Sequence, residues 1–113
     1  MLSFSTTKPN ALLAAIKKAI NSKKITTWSY TANGYFTHTP EQWKAKAWLL
    51  PKVIDGSELR FGIIRPTNAS VGTEVYAVYH GRFIEMMLAH FDTEFQNGLA
   101  SALPTAADNI KAA

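Results

Sequence analysis

The pair Asp55-Gly56, set between two apolar runs, is the feature that most constrains the fold of this 113-residue chain. A two-residue hairpin turn of type I′ needs positive φ at both central positions, which favours Asp-Gly. Pairing outward from such a turn gives one apolar sheet face, because side chains alternate along a strand. That face consists of Trp48, Leu50, Leu59, Phe61 and Ile63. The sequence therefore predicts an antiparallel hairpin with one face in the core.

A further strand is predicted at residues 25–31, which are rich in β-branched and aromatic side chains. Asn33-Gly34 is a second turn signal, and a tight turn there sets Tyr30 against Thr37. In the alternative, residues 32–42 form one long loop and the first strand pairs directly with the next apolar run. Both alternatives keep an antiparallel sheet.

The segment between these hairpins is predicted to change from a helical turn to a strand at residue 43. Thr39-Pro40-Glu41-Gln42 has a cap, a proline and a capping-box glutamine, which favours a single helical turn. Alternation over residues 43–48 then predicts a strand with Lys44 and Lys46 on one face. In the two-residue register, Arg65 lies opposite Lys46.

The N-terminal helix is predicted from Pro9, near its first turn, to about Asn21. One apolar stripe at helical spacing supports it: Leu12, Leu13, Ile16 and Ile20.

The C-terminal part reads as a strand at Glu74–His80, a break at Gly81 and a helix from Arg82. Pro104 ends that helix, because the residue before a proline disfavours the α conformation. The apolar stripe of the predicted helix is Ile84, Leu88, Phe91, Phe95 and Leu99, widened by Phe83 and Met87.

The predicted fold class is α+β, with an N-terminal helix, an antiparallel meander of about four strands and a C-terminal helix. Both helices are expected on one face of the sheet. A hydrophobic content of 47% against 18% charged residues indicates a folded chain, and its length fits one domain. We place that domain at residues 1–103 and a flexible tail at residues 104–113.

Charge is distributed unevenly along the chain. Residues 1–52 carry eight lysines and one acid, a net +7, whereas residues 53–113 carry −3. The lysines can simply solvate surfaces, or they can attract a polyanion. A candidate basic cluster lies at the end of the first helix: Lys17, Lys18, Lys23 and Lys24. The same lysines also complement the helix dipole there.

Aromatic and basic residues interleave around residues 28–48, a pattern typical of proteins that stack unpaired bases while lysines follow the backbone. Strand tryptophans are also ordinary core residues, which is the competing interpretation of this pattern. The candidate binding surface is Tyr35, His38, Trp43, Lys44, Lys46 and Arg65.

Enzymatic motifs are missing from the sequence. The three histidines have no i, i+4 spacing for a metal site, there is no cysteine, and no glycine-rich phosphate loop or nucleophile elbow is present. We therefore expect no cofactor and no metal site, and a binding protein is favoured over an enzyme. A small-molecule pocket between helices and sheet is the remaining possibility, lined by Tyr76, Tyr79, His80 and His90.

Three functions follow from these observations. The first is a small interaction or adaptor module that binds a protein partner or a second copy through an aromatic surface or sheet edge. The second is RNA or single-stranded DNA binding by the basic N-terminal half, and the third is the pocket or enzyme. No apolar run is long enough for a membrane span and no signal peptide is recognisable, so a cytoplasmic protein without a membrane partner is expected.

Overall fold

The computed structural model describes residues 1–111, which form two helices and six strands. Along the chain the elements are β1 (Leu2–Ser5), α1 (Pro9–Asn21), β2 (Trp28–Tyr30), β3 (Phe36–His38), β4 (Trp48–Ile54), β5 (Glu58–Ile64), α2 (Thr73–Phe91) and β6 (Gly98–Ala100). The strands form one antiparallel sheet in the order β2-β3-β4-β5-β1-β6. The α+β class is confirmed, but the predicted sheet of about four strands is too small, because β1 and β6 extend it beyond β5.

The first helix is the element that the sequence predicts best. It begins at Pro9 and ends at Asn21, as expected from a proline whose missing N–H is not needed in a first helical turn. Leu12 and Ile16 of its apolar stripe are buried in the core.

The strand predicted at Glu74–His80 is wrong, since these residues lie in α2. The buried positions of α2 recur at helical spacing: Tyr76, Tyr79, His80, Phe83, Met86, Met87 and Phe91. Gly81 lies exposed in the middle of α2, with open space around it, and does not break the helix.

The predicted C-terminal helix has the wrong end, and its buried stripe is centred one residue earlier than predicted. Phe83 and Met87, predicted as the widening of the stripe, are fully buried, whereas Ile84 is only partly buried and Leu88 is exposed. Leu88 is 56% exposed, because one residue of phase turns a helix by about 100°. The helix ends at Phe91 rather than near residue 103, although Phe91 itself is buried as predicted.

The central hairpin forms at the predicted place in a different register. Gly56 has a φ of 66°, but Ile54 pairs with Glu58, so the loop has three residues instead of two. A slip of one residue turns every side chain of a strand to the other face. The predicted core face is therefore right for β5 and wrong for β4, where Leu49 is buried and Trp48 is only partly so.

The β2–β3 hairpin confirms the alternative that places a turn at Asn33-Gly34, where Gly34 has a φ of 82°. Its register also differs by one residue, because Tyr30 pairs with Phe36 and not with Thr37. The strand predicted over residues 43–48 is wrong, since β4 begins at Trp48.

Phe83 of α2 contacts the aromatic rings of the sheet. Its ring centroid lies 6.0 Å from that of Phe4, 4.6 Å from Phe61 and 4.9 Å from Trp28. The packing of Phe83 against these rings fixes the position of α2 against the sheet.

A contact of α1 with the sheet involves a lysine: Lys17 Nζ lies 5.5 Å from the centroid of the Tyr30 ring.

The segment after β6 contacts β5. The Ile63 N–H donates to Asp108 Oδ1 at 2.8 Å, and Asn109 forms a parallel bridge with Ile64. The flexible tail was predicted at residues 104–113, of which Ala112 and Ala113 lie outside the described residues. The domain boundary at residue 103 stays a prediction.

Candidate functional site

A cleft with a volume of about 540 Å³ lies between the hairpin region of residues 27–43 and one side of α2; we call it the α2 cleft. The hairpin wall consists of Thr27, Trp28, His38, Pro40, Gln42 and Trp43. The helix wall consists of Arg82, Glu85, Met86, Ala89 and His90. Aromatic, cationic, anionic and imidazole groups thus line one cavity.

Strand pairing positions the inner end of the hairpin wall. Trp28 of β2 pairs with His38 of β3, and their ring centroids lie 4.5 Å apart at an interplanar angle of 31°. Trp28 is almost fully buried, since Tyr79 and Phe83 pack edge-on against it at 5.6 and 4.9 Å. The buried Trp28 indole therefore packs against one face of the His38 ring.

The loop at residues 43–47 is tied to both β3 and α2. The Tyr79 hydroxyl donates to the Trp43 carbonyl and lies 2.9 Å from Thr37 Oγ1. The Ala45 N–H donates to the same Thr37 oxygen at 3.1 Å. These buried bonds hold the partly buried Trp43 ring at the cleft, because breaking them leaves polar groups without partners.

His38 has one bonded and one unbonded ring nitrogen. Its Nδ1–H donates to the Thr27 carbonyl at 2.7 Å, which leaves Nε2 as an acceptor in the neutral ring. Within residues 1–111, His38 makes no other hydrogen bond. Burial lowers the pKa of His38 below its ordinary value; the Thr27 bond opposes this, the charge of Arg82 adds to it and that of Glu85 counteracts it.

The charged residues of the helix wall are loosely paired. Arg82 and Glu85 are separated by 3.5 Å and their side chains are 58% and 70% exposed. A surface pair of this kind contributes little, so the guanidinium remains able to bind another anion. His90 lies further along α2 and is also exposed.

A second, smaller cleft of about 270 Å³ adjoins the first, and we call it the lysine cleft. Its lining consists of Ala15, Lys18, Ala19, Ser22, Lys24, His90 and Phe91. Because His90 lines both cavities, the α2 cleft and the lysine cleft are neighbours on one side of the molecule.

Two residues near these clefts have an unusual backbone. Lys23 (φ 64°) and Ala45 (φ 57°) are the non-glycine residues with positive φ among residues 1–111. Lys23 precedes Lys24 of the lysine cleft, and Ala45 lies in the loop that carries Trp43. Such conformations are unfavourable for residues with a Cβ, and that of Lys23 belongs to the C-terminal end of α1, where left-handed residues are common.

The structure brings together residues from all three predicted groups. His38 and Trp43 of the predicted binding surface line the α2 cleft, His90 of the predicted pocket joins the clefts, and Lys18 and Lys24 of the basic cluster line the other.

The remaining members of the predicted binding surface lie elsewhere or are arranged differently. Lys44 and Lys46 are exposed in the loop after Trp43, outside any strand, so the prediction that they share a strand face is wrong. The pairing of Arg65 with Lys46 is wrong for the same reason, and the Arg65 guanidinium donates to the Pro66 and Thr67 carbonyls. Tyr35 is partly buried beside the β2–β3 turn.

The four residues of the predicted pocket separate into different places. Tyr79 lies under the loop at residues 43–47, and His90 is at the clefts. Tyr76 and His80 stack with centroids 3.9 Å apart in a different polar cluster. We call this the Asp108 cluster, and it consists of the Met1 amino group, Tyr76, His80, Ser101 and Asp108.

Several residues of the cleft were not predicted from the sequence as site residues, among them the polar side chains of Gln42, Arg82 and Glu85. Arg82, Glu85 and Ala89 lie on one side of a helix at i, i+3 and i+7, a pattern that the helix predicted from Arg82 already contains. Arg82 and Glu85 were missed because the sequence does not show that this side of the helix faces the hairpin region.

Comparisons of this chain with protein-family models, with curated proteins and with solved structures found no match. Residues 1–111 contain no group of three or more His, Cys, Asp or Glu side chains arranged to hold a metal ion. Neither helix in the described part of the chain has the length and apolar character needed to cross a membrane.

Proposed function

We propose that this protein binds single-stranded nucleic acid, with an unpaired base in the α2 cleft and backbone phosphates along the lysine cleft. The observation that carries the proposal is that His90 lines both cavities, so that an aromatic cavity and a basic one adjoin at this residue. Binding of single strands combines these two features.

The α2 cleft offers what an unpaired base needs. Trp43 provides a partly exposed aromatic face, and base–aromatic stacking contributes about 1–3 kcal/mol per base. Gln42 and His38 Nε2 offer hydrogen-bonding atoms for the edge of a base. A cavity of about 540 Å³ lies within the usual range for small-ligand sites.

Cations lie on both sides of the shared His90. Lys18 and Lys24 line one cavity and Arg82 lines the other. If these three groups contact phosphates, the salt dependence for a single strand has a slope near −0.7 per contact. A fourfold rise in salt then weakens binding about 20-fold.

A fluorescein-labelled ten-residue oligodeoxythymidylate, titrated at about 50 mM and 200 mM salt, tests the proposal over the interval in which phosphate contacts reveal themselves. We expect the affinity of the wild type to fall about 20-fold between the two salts. The double variant Lys18→Glu/Lys24→Glu should bind more weakly with a smaller salt slope, and Trp43→Ala should lose about 1–3 kcal/mol of binding free energy.

Two variants on the other face of the sheet are matched controls. Lys52→Glu changes an exposed lysine, and Trp48→Ala changes a partly buried tryptophan, both outside the two clefts. Neither should change affinity by more than about twofold, beyond the general effect of one charge on the electrostatic attraction. Absent binding at the lower salt, or equal losses in the test and control variants, contradicts the proposal.

The interaction or adaptor module stays a prediction, with a protein partner or a second copy as the expected binder. The feature that favours it is the sheet face that includes Trp48 and Leu50, where apolar side chains are partly exposed. Concentration-dependent sedimentation of the free protein measures self-association, and a Trp48→Ala effect on it would support this second candidate.

A further inference from the structure

We infer that the α2 cleft cleaves RNA by attack of the ribose 2′-hydroxyl on the adjacent phosphodiester, with His38 as general base and His90 as general acid. This inference rests on the proposed binding of single strands and adds a reaction to it. The observation that carries it is the presence of two imidazoles, one guanidinium and one carboxylate around a single cavity.

His38 has the geometry of a general base. The bond from Nδ1–H to the Thr27 carbonyl fixes the tautomer, and the stacked Trp28 ring fixes the plane of the imidazole. The acceptor nitrogen Nε2 is therefore the one left for a substrate proton. A base whose second nitrogen is oriented by another group is a recurring arrangement in proton-transfer sites.

Charges on the helix wall suit the later stages of the reaction. Glu85 favours the protonated form of His38 and partly offsets burial and the Arg82 charge, which disfavour the imidazolium that proton transfer creates. Arg82, only weakly held by Glu85, is available to bind the phosphate oxygens that gain negative charge. His90, on the same wall, is exposed to solvent.

The step is balanced without an oxidant or a second reactant. The O2′–H bond breaks and its proton goes to His38 Nε2 while an O2′–P bond forms. The P–O5′ bond breaks, and the His90 imidazolium gives its proton to O5′. The products are a 2′,3′-cyclic phosphate and a 5′-hydroxyl, and both histidines return to their starting states through water.

The test compares a labelled ten-residue oligouridylate with the same oligomer carrying a single 2′-deoxy residue and with oligodeoxythymidylate. We expect the wild type to cleave the RNA and to leave 2′,3′-cyclic phosphate and 5′-hydroxyl ends. The single 2′-deoxy residue should block cleavage at its own 3′ side only. His90→Ala and Arg82→Ala change exposed residues, and His38→Gln keeps a polar group in a buried position.

General acid–base catalysis contributes about 10²–10⁴-fold, so His90→Ala and His38→Gln should each reduce cleavage by at least about 100-fold. Binding of oligodeoxythymidylate by Arg82→Ala and His90→Ala should fall far less than their cleavage rates. If the protein binds oligodeoxythymidylate but leaves the RNA intact, the cleavage inference is wrong and the proposed function still holds. Cleavage that survives both histidine substitutions, or that leaves 3′-hydroxyl ends, also overturns it. If oligodeoxythymidylate does not bind at all, the proposed function itself is wrong.

Discussion

His80 and His38 are two buried histidines that differ at one nitrogen. Each has Nδ1 bonded to a backbone carbonyl at 2.7 Å, from Tyr76 and Thr27 respectively, and each stacks on an aromatic ring. His80 Nε2 lies 2.9 Å from the Met1 amino group, whereas His38 Nε2 has no partner within residues 1–111. Both ring nitrogens of His80 have partners within the protein, whereas His38 Nε2 remains available to accept a hydrogen bond from a ligand in the α2 cleft.

The same contrast holds for the surroundings of the two histidines. In the Asp108 cluster, the carboxylate side chain is fully buried and accepts hydrogen bonds from the Ile63 and Thr105 N–H groups. At the α2 cleft, the ion pair of Arg82 with Glu85 is long and exposed. Saturated, buried polar groups indicate a structural role, and unsaturated groups around a cavity indicate a binding role.

Removal of the buried carboxylate should have the largest effect on stability. Asp108→Ala removes the acceptor of the Ile63 N–H and the anionic partner of the Met1 amino group, and we expect a loss of about 3–5 kcal/mol in the free energy of unfolding. Urea unfolding at neutral pH measures it. Asp92→Ala changes an exposed carboxylate and should stay within about 0.5 kcal/mol of wild type. A loss below about 1 kcal/mol for Asp108→Ala would remove the structural role assigned to the cluster.

Acid should destabilise the protein through His80. Burial is the main cause that lowers its pKa from 6.5 to about 4; the Tyr76 bond opposes it, the Met1 amino group adds to it and Asp108 counteracts it. A base with a depressed folded pKa stabilises the fold above its unfolded pKa, and this stability is lost as pH falls from about 6.5 to about 4. The shift corresponds to about 3 kcal/mol over that interval.

Unfolding experiments at pH 7.5 and 4.5 on the wild type and on His80→Gln check this prediction. The variant should be less stable at pH 7.5 and should lose less stability on acidification. His38, whose pKa burial also lowers, acts in the same direction, so His38→Gln gives a comparison. An unchanged stability of the wild type between the two pH values would contradict the account of His80.

Nucleic-acid affinity should respond to His38 and not to His80. A hydrogen bond lost at the cleft weakens binding of oligodeoxythymidylate by about 0.5–1.5 kcal/mol, or roughly 3–10-fold, in His38→Gln. His80→Gln, measured where it is folded, should bind like the wild type because His80 does not line either cleft. Equal losses in both variants would erase the functional difference between the two histidines.

The smallest effect concerns the backbone beside the lysine cleft. Lys23 follows α1 in a Schellman-type end, where the Lys23 and Lys24 N–H groups donate to Ile20 and Ala19 carbonyls. Glycine accepts positive φ without the cost of a Cβ but gains more entropy in the unfolded chain, so Lys23→Gly should raise stability by about 0.5 kcal/mol. Thermal melting measures the change, and a lower melting temperature for Lys23→Gly would show that the positive φ of Lys23 does not destabilise the fold.

The sequence predicts those parts of the fold that have strong local causes. Pro9 and an apolar stripe place α1 correctly, and Asp55-Gly56 marks the central hairpin. The predicted register of this hairpin is wrong by one residue. Because β4 has apolar side chains on both faces, such as Trp48 and Leu49, alternation could not distinguish a two-residue loop from a three-residue loop.

Long-range packing explains the other differences. Residues 74–80 alternate like a strand and also repeat like a helix, and packing of the buried side of α2, including Phe83, against the sheet favours the helix. β1 has four residues and β6 three, too short for a periodic pattern to reveal. For the site, His38, Trp43 and His90 could be predicted from residue type, but their position around one cavity depends on the packing of α2 against the hairpin region.

Side-chain NMR of the three histidines during titration with oligodeoxythymidylate tests the central claim most directly, that the α2 cleft binds single-stranded nucleic acid. The measurement follows the imidazole nitrogens of protein labelled with ¹⁵N at histidine. We expect His38 and His90 resonances to shift in a saturable, salt-sensitive manner while the His80 resonances stay in place. Unchanged His38 and His90 signals at saturating oligonucleotide, or equal shifts at His80, would contradict it.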